Sequence, residues 1–325
     1  MLWRRSPSRA PTPDQGPAPG AGPAPDTAPA LTPERVLRRL EWRVLRRLDG
    51  RLQGDHRTLF RGAGIDVVDM REYQPGDDLR RVDWNVTART DVPHVREYLE
   101  DRDVTAWLVL DRSPSMGFGP VDRQKNLVVA ELAGSLAQLL VRGGNQVGAV
   151  LFGHRDAGGA QEVIPPGHGR AQVLRILSRL LNPPHGTKGT TDLAAPLRAL
   201  SGIARRRSLV VVVSDFTSTP GWERPLGVLS RRHDVLALQV LDPREHELPD
   251  IGMIYVEDPE TGEQLFVDTA DAGFGARLRE VAAQHQADLV EKVRAAGTEL
   301  HTVGTDEDLV RVLTRIAGLR RRGLR

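Results

Sequence analysis

Five short apolar runs, at residues 104–110, 147–152, 208–214, 234–240 and 299–303, alternate along the chain with longer stretches whose apolar residues recur at helical spacing. Runs of this length without polar alternation suit strands buried on both faces, which requires helices packed against both sides of a mostly parallel sheet. The pattern therefore predicts a doubly wound α/β architecture. Its helices are expected near 122–141, 170–181, 192–203, 222–232, 273–296 and 306–317. In the first of them Val128, Leu132, Leu136 and Leu139 form an apolar stripe beside Leu127, Glu131 and Gln138. In such a sheet, ligands gather at the carboxyl ends of the strands. Polar residues that close a strand are thus the first candidates for function.

The flanking segments differ in pattern. Residues 252–269, GMIYVEDPETGEQLFVDT, are two short alternating runs around a Thr-Gly turn and predict a β-hairpin at the periphery of the sheet. Residues 1–31 are dominated by Pro, Ala and Gly, have almost nothing to bury, and are expected to be a disordered tail. Thr32 as an N-cap and Pro33 in the first turn then open an amphipathic helix over 32–50, with Leu37, Leu40, Val44, Leu45 and Leu48 on one face, arginines on the other and Gly50 as the stop. Residues 51–103 form an N-terminal extension to an α/β domain over 104–318, and 319–325 a basic tail.

Composition excludes several function classes. There is no cysteine, so disulfide frameworks, iron–sulfur clusters and cysteine zinc sites are ruled out, and a reducing cytoplasm is the compatible compartment. No run approaches the ~18 apolar residues of a membrane span, and the start MLWRRSPSRAPTP lacks the apolar core of an export signal. The pI of 9.3 arises because the base is almost all arginine, with Lys125, Lys188 and Lys292 the only lysines. No basic face or aromatic-basic motif accompanies it, so nucleic acid is not an expected partner. The histidines, including the one in GHGR at 167–170, have no metal-ligand spacing.

The residues that carry chemistry are oxygens. LVLDRSPSMG, residues 108–117, runs a buried strand into Asp111, Ser113 and Ser115. Thr191 lies in KGTTDLAAP ahead of a helix, and Asp215 ends the most apolar strand, in LVVVVSDFTS. Carboxylates and hydroxyls converging without His or Cys suit a hard divalent cation, Mg²⁺ or Mn²⁺. The same residue types also make polar turns and helix caps. The D-x-S-x-S spacing with the distant Thr and Asp resembles the metal-ion-dependent adhesion site of von Willebrand factor A domains. That resemblance implies Asp111, Ser113, Ser115, Thr191 and Asp215 as the metal ligands, with one position left for an acidic residue of a partner.

A second resemblance lies upstream, in FRGAGIDVVDMREYQPGDDLRRVDWNVTARTDVPHVREYLEDRD at 60–103. Arg71, Tyr73, Pro75, Gly76, Asp77, Asp78, Arg80, Asp83, Trp84, Thr87, Ala88 and Arg89 resemble the signature block of the bacterial domain of unknown function 58 family, which carries a von Willebrand A-like domain. Within the block, Pro75-Gly76 is expected to turn, Asp77 and Asp78 to cap backbone N–H groups, Arg80 and Arg89 to pair with the carboxylates, and Trp84 to fill a core. A polar network locking an extra layer to the domain is favoured over a partner-binding surface. The resemblance implies a non-catalytic adaptor working with a MoxR-type AAA+ ATPase in chaperone-like assembly or activation of client proteins. The alternative is a Mg-dependent phosphoryl-transfer enzyme using Asp111. Phosphoaspartyl phosphatases need a second carboxylate two residues on, where Ser113 stands, and the chain has no nucleotide-binding phosphate loop. An extracellular adhesin fits the metal site but conflicts with the missing export signal.

Overall fold

The structure is a computed structural model that describes residues 2–4, 32–41, 44, 47, 69–74, 82, 84–90, 92–97, 105–119, 123–153, 161–182 and 190–323. In chain order the elements are β1 (Leu2–Arg4), α1 (Pro33–Leu40), β2 (Asp69–Glu72), α2 (Trp84–Thr90), β3 (His94–Glu97), β4 (Thr105–Asp111), α3 (Lys125–Arg142), β5 (Gln146–Phe152), β6 (Glu162–Gly167) and α4 (Gly169–Leu181). They continue with α5 (Ala194–Ile203), β7 (Leu209–Ser214), α6 (Glu223–Arg232), β8 (Asp234–Leu241), β9 (Met253–Glu257), β10 (Gln264–Asp268), α7 (Ala272–Ala295), β11 (Leu300–Gly304) and α8 (Leu309–Gly323).

The main sheet has six strands in the order β11-β8-β7-β4-β5-β6, parallel throughout except for β6. The chain winds outward from β4 through β5 to one edge, then returns to β7 beside β4 and winds to the other edge. Between β4 and β7 the winding direction reverses, which opens a crevice at the carboxyl ends of those two strands. Alternate side chains of each strand feed opposite cores. Ala106, Leu108 and Leu110 join one core with α1, α3, α4 and α8, while Trp107 and Val109 join the other with α5, α6 and α7. Complete burial of each Leu or Val contributes about 1.5–3 kcal/mol, so the sheet holds its strand ends in fixed register.

The five expected strands form, each within one residue of its predicted bounds. β6 was not expected: Pro165 and Pro166 cannot donate to a ladder, and its place at the sheet edge accommodates them. Helix α3 is not the surface helix its stripe suggested. Glu131 and Gln138 are buried along with the apolar residues, because α1 and α4 cover its outer side. Glu131 is matched by Arg123 at 2.6 Å.

Thr32 caps α1 by accepting from Arg35 N–H, and Val36, Leu37, Leu40 and Val44 pack into the α3–α4 core. Gly134 of α3 permits this approach, since a Cβ there would lie 2.7 Å from Leu40 Cδ1. Leu45, Leu48 and Gly50 lie outside the described residues.

The hairpin is present as β9 and β10, but it does not join the edge of the main sheet. Instead it forms a sheet of its own with β1, which falls inside the segment expected to be unstructured. Its interior, Ile254, Val256 and Val267, is a cluster separate from both main cores. Helix α8 runs on through Gly323, into the segment expected as a basic tail.

In the N-terminal extension, β2 and β3 pair antiparallel, and Thr87 Oγ1 accepts from His94 N–H at 3.1 Å. Trp84 does not fill a core: it is 70% exposed at the start of α2. Pro75, Gly76, Asp77, Asp78, Arg80 and Asp83, with the turn, caps and pairings expected of them, lie outside the described residues. Among the described residues no helix is long and apolar enough to cross a membrane.

Candidate metal centre

The β4–β7 crevice is where the oxygens gather. Asp111 is the last residue of β4 and Asp215 follows the last residue of β7. Ser113 and Ser115 lie on the tight turn that leaves β4, and Thr191 lies three residues before α5. All five side chains are buried.

Three of the five are in direct contact. Asp111 Oδ1 accepts from Ser113 N–H at 2.9 Å, and the Ser113 and Ser115 hydroxyls are 2.9 Å apart. The turn can close this tightly because Gly153 follows β5: a Cβ there would meet Arg112 C and O and Ser113 N at 2.9–3.0 Å. Asp111 Oδ2 accepts from Ser214 Oγ at 2.5 Å, which ties β4 to β7. Ser214 Oγ also accepts from Phe216 N–H at 2.9 Å, and Asp215 Oδ1 accepts from Thr217 N–H at 2.9 Å. These bonds hold Phe216 at φ 61°, in the left-handed region that is costly for a side chain of its size. Thr191 is fixed to the same loop, since its carbonyl accepts from Thr219 N–H and Ser218 Oγ. Asp192 accepts from Ala195 N–H at the start of α5, a helix-opening role.

Three charged residues complete the centre, and none was singled out from the sequence. Lys125, 1% exposed at the start of α3, donates to Asp215 Oδ2 at 2.8 Å and to Glu245 Oε1 at 2.5 Å. Burial opposes its charge, but the two carboxylates outweigh burial and hold its pKa above the ordinary lysine value. Glu260, in the β9–β10 turn, accepts from Thr191 Oγ1 at 2.7 Å and from Thr191 N–H at 3.0 Å. Burial pushes its pKa up, aided by Asp215 and Asp258 and partly offset by the bonds from Thr191. The sequence held a faint signal for Lys125, a rare lysine opening an apolar helix in an arginine-rich chain. It held none for Glu260, which resembles any acidic turn residue.

The charge of the site is least balanced at Asp111. Burial and then the nearby charge of Asp215 push its pKa up to about 7, against the lowering effect of the Ser214 and Ser113 hydrogen bonds. Two buried carboxylates that resist joint ionisation are relieved by a proton on one of them or by a cation between them. Lys125 answers one side of Asp215 and leaves Asp111 unmatched. Among the described residues no three His, Cys, Asp or Glu are arranged to hold an ion by themselves. An ion here depends on the hydroxyls as well as the carboxylates, and that donor set fits Mg²⁺ or Mn²⁺ with retained water. Asp111, Ser113 and Ser115 fit as direct ligands, Thr191 supplies a further hydroxyl, and Asp215, whose Oδ2 already carries the Lys125 ammonium, fits ligation through water.

The family described as protein of unknown function DUF58 matches residues 69–288. An uncharacterized protein of Mycobacterium tuberculosis is 40% identical over 293 residues, 89% of this chain and 90% of its own length. Among solved structures, the conserved hypothetical protein BatB from Bacteroides thetaiotaomicron is similar at 14% identity, with 67% of this chain and 99% of that one covered and a TM-score of 0.41. The SpRpn10 VWA domain is similar at 13% identity, with 66% and 94% covered and a TM-score of 0.37.

Proposed function

The chain belongs to the family of proteins of unknown function DUF58, and from that premise we propose that it is a metal-dependent protein-interaction adaptor whose working surface is the β4–β7 crevice. The observation that carries this reading is the unmatched charge of Asp111 beside Asp215, ringed by the hydroxyls of Ser113, Ser115 and Thr191. A Mg²⁺ or Mn²⁺ ion bound there would supply a Lewis-acidic point for a partner's carboxylate. The chain's own residues set that property. Lys125 withdraws negative charge from Asp215, and the neutral hydroxyls add none, so the site binds an ion without fully quenching it. In this reading the partners are a MoxR-type AAA+ ATPase and a client protein that presents an acidic residue. The work takes place in the cytoplasm, where such an ATPase meets ATP.

The reading treats the protein as non-catalytic. Both oxygens of Asp111 accept hydrogen bonds, Ser113 stands where a second carboxylate is needed, and the bonded carboxylates of Lys125 are Asp215 and Glu245. The test is capture of cell partners on immobilised protein with Mg²⁺ or with chelator, run alongside assays for ATP and phosphoester hydrolysis. The expected result is chelator-sensitive capture that includes an AAA+ ATPase, with no turnover. Metal-dependent turnover that vanishes in Asp111→Asn would contradict it and establish phosphoryl transfer instead.

A further inference from the structure

Glu260 reaches the site from the β9–β10 turn, outside the main sheet and its two cores. Both its oxygens are engaged by Thr191, and among the described residues no cationic side chain pairs with it, although it is 7% exposed. A buried carboxylate without a cation is costly, and an amide or hydroxyl would anchor a hairpin with less penalty. Its charge therefore calls for an explanation.

We propose that the β9–β10 turn is the chain's own ligand for the crevice: Glu260 holds in cis the place that a glutamate at the tip of a partner's tight turn takes, and a partner binds only when the hairpin lifts. This inference rests on the adaptor reading above. Four carboxylates share the crevice with one ammonium: Lys125 bonds Asp215 and Glu245, while Asp111 and Glu260 each lie close enough to Asp215 to feel its charge. A divalent ion does not offset that excess, so a partner's carboxylate and Glu260 compete rather than bind together. The turn is built to present Glu260: Asp258 Oδ1 accepts from the N–H groups of Glu260 and Thr261, and Gly262 N–H closes back onto Asp258 O at 2.8 Å. The hairpin is also separable, because its apolar cluster is shared with neither main core. Lifting it breaks the Thr191 contact and leaves both cores intact.

The test uses full-length protein, wild type with Glu260→Ala and Glu260→Gln, and a labelled cyclic peptide carrying Asp-Pro-Glu-Thr-Gly. Mn²⁺ binding is read by water-proton relaxation and peptide binding by anisotropy, with a Gln-substituted peptide and chelator as controls. All three proteins should bind Mn²⁺. Both variants should bind the peptide at least ~10-fold more tightly than wild type, because a masked state reduces apparent affinity by the fraction that is open. Hydrogen exchange on the wild type should show loss of protection over residues 253–268 when peptide and Mn²⁺ are added together, a readout that needs no variant to fold. Variants that bind Mn²⁺ normally but gain no peptide affinity overturn the proposal and leave the adaptor reading standing. Variants that lose Mn²⁺ binding overturn it differently, by making Glu260 a group that orients Thr191. Absence of Mn²⁺ binding in the wild type removes the adaptor reading itself, and the proposal with it.

Discussion

Replacing Lys125 with methionine keeps the length of the side chain and removes its charge, at a position 1% exposed. The ammonium answers two carboxylates, Asp215 with its side chain 3% exposed and Glu245 with its side chain 20% exposed. Removing one partner of a buried ion pair costs about 3–5 kcal/mol, chiefly because the remaining charge is stranded. Glu245 can turn toward water and Asp215 cannot, which favours the lower end, about 3 kcal/mol. For a folded region of this size that is a melting shift of roughly 6–12 °C. Urea denaturation in chelator is the assay, run on Lys125→Met, Asp215→Asn and the double variant. Asp215→Asn removes the stranded charge, so the double variant should recover at least about half of the loss. The raised pKa of Lys125 means that its contribution is fully present below the ordinary lysine value and is lost only as pH rises through the folded value. Lys125 itself therefore stays charged at both pH 6 and pH 8. A loss below about 1 kcal/mol, typical of an exposed pair, would refute the argument that Lys125 balances the site.

Asp111 gives the opposite pH dependence. Its folded pKa of about 7 lies above the unfolded 3.8, so the folded state binds more protons between those values and stability falls as pH rises through that window. In chelator, Asp111→Asn should flatten that fall in a pH series of denaturation curves and be more stable than wild type near pH 8. Gly153→Ala places a Cβ about 2.9–3.0 Å from the Arg112–Ser113 backbone. It should cost about 1–3 kcal/mol by denaturation and weaken Mn²⁺ binding by displacing Ser113.

The sheet was legible because its strands are buried on both faces, and a run such as Leu209–Val213 has no other stable use in a chain of this composition. β6 was hidden by Pro165 and Pro166, which argue against a strand anywhere but at an edge. The burial of Glu131 and Gln138 could not be read from α3, because it depends on α1 packing from across the chain. The D-x-S-x-S turn announced itself by position at a strand end, and the structure brings Asp111, Ser113 and Ser115 into contact. Lys125, Glu245 and Glu260 were invisible as members of one site, since Lys125 is 90 residues from Asp215 and 120 from Glu245, and Glu260 is 69 from Thr191, on a separate hairpin. Trp84 went the other way: an aromatic in an otherwise polar block was expected inside and lies outside.

The central claim is that Asp111 and its neighbours hold a divalent cation, and the most direct test is calorimetric titration of Mn²⁺ into wild type and Asp111→Ala, paired with thermal melts. An ion that binds only the folded state adds about 1.4 kcal/mol at ten times its Kd, a melting shift of roughly 3–6 °C. Wild type should show one saturable site and that shift, with binding that weakens below about pH 7 as Asp111 takes up its proton. Asp111→Ala should stay folded and show neither. Identical titrations and melts for the two proteins would contradict the account and reduce Asp111, Ser113 and Ser115 to a polar turn at the end of a strand.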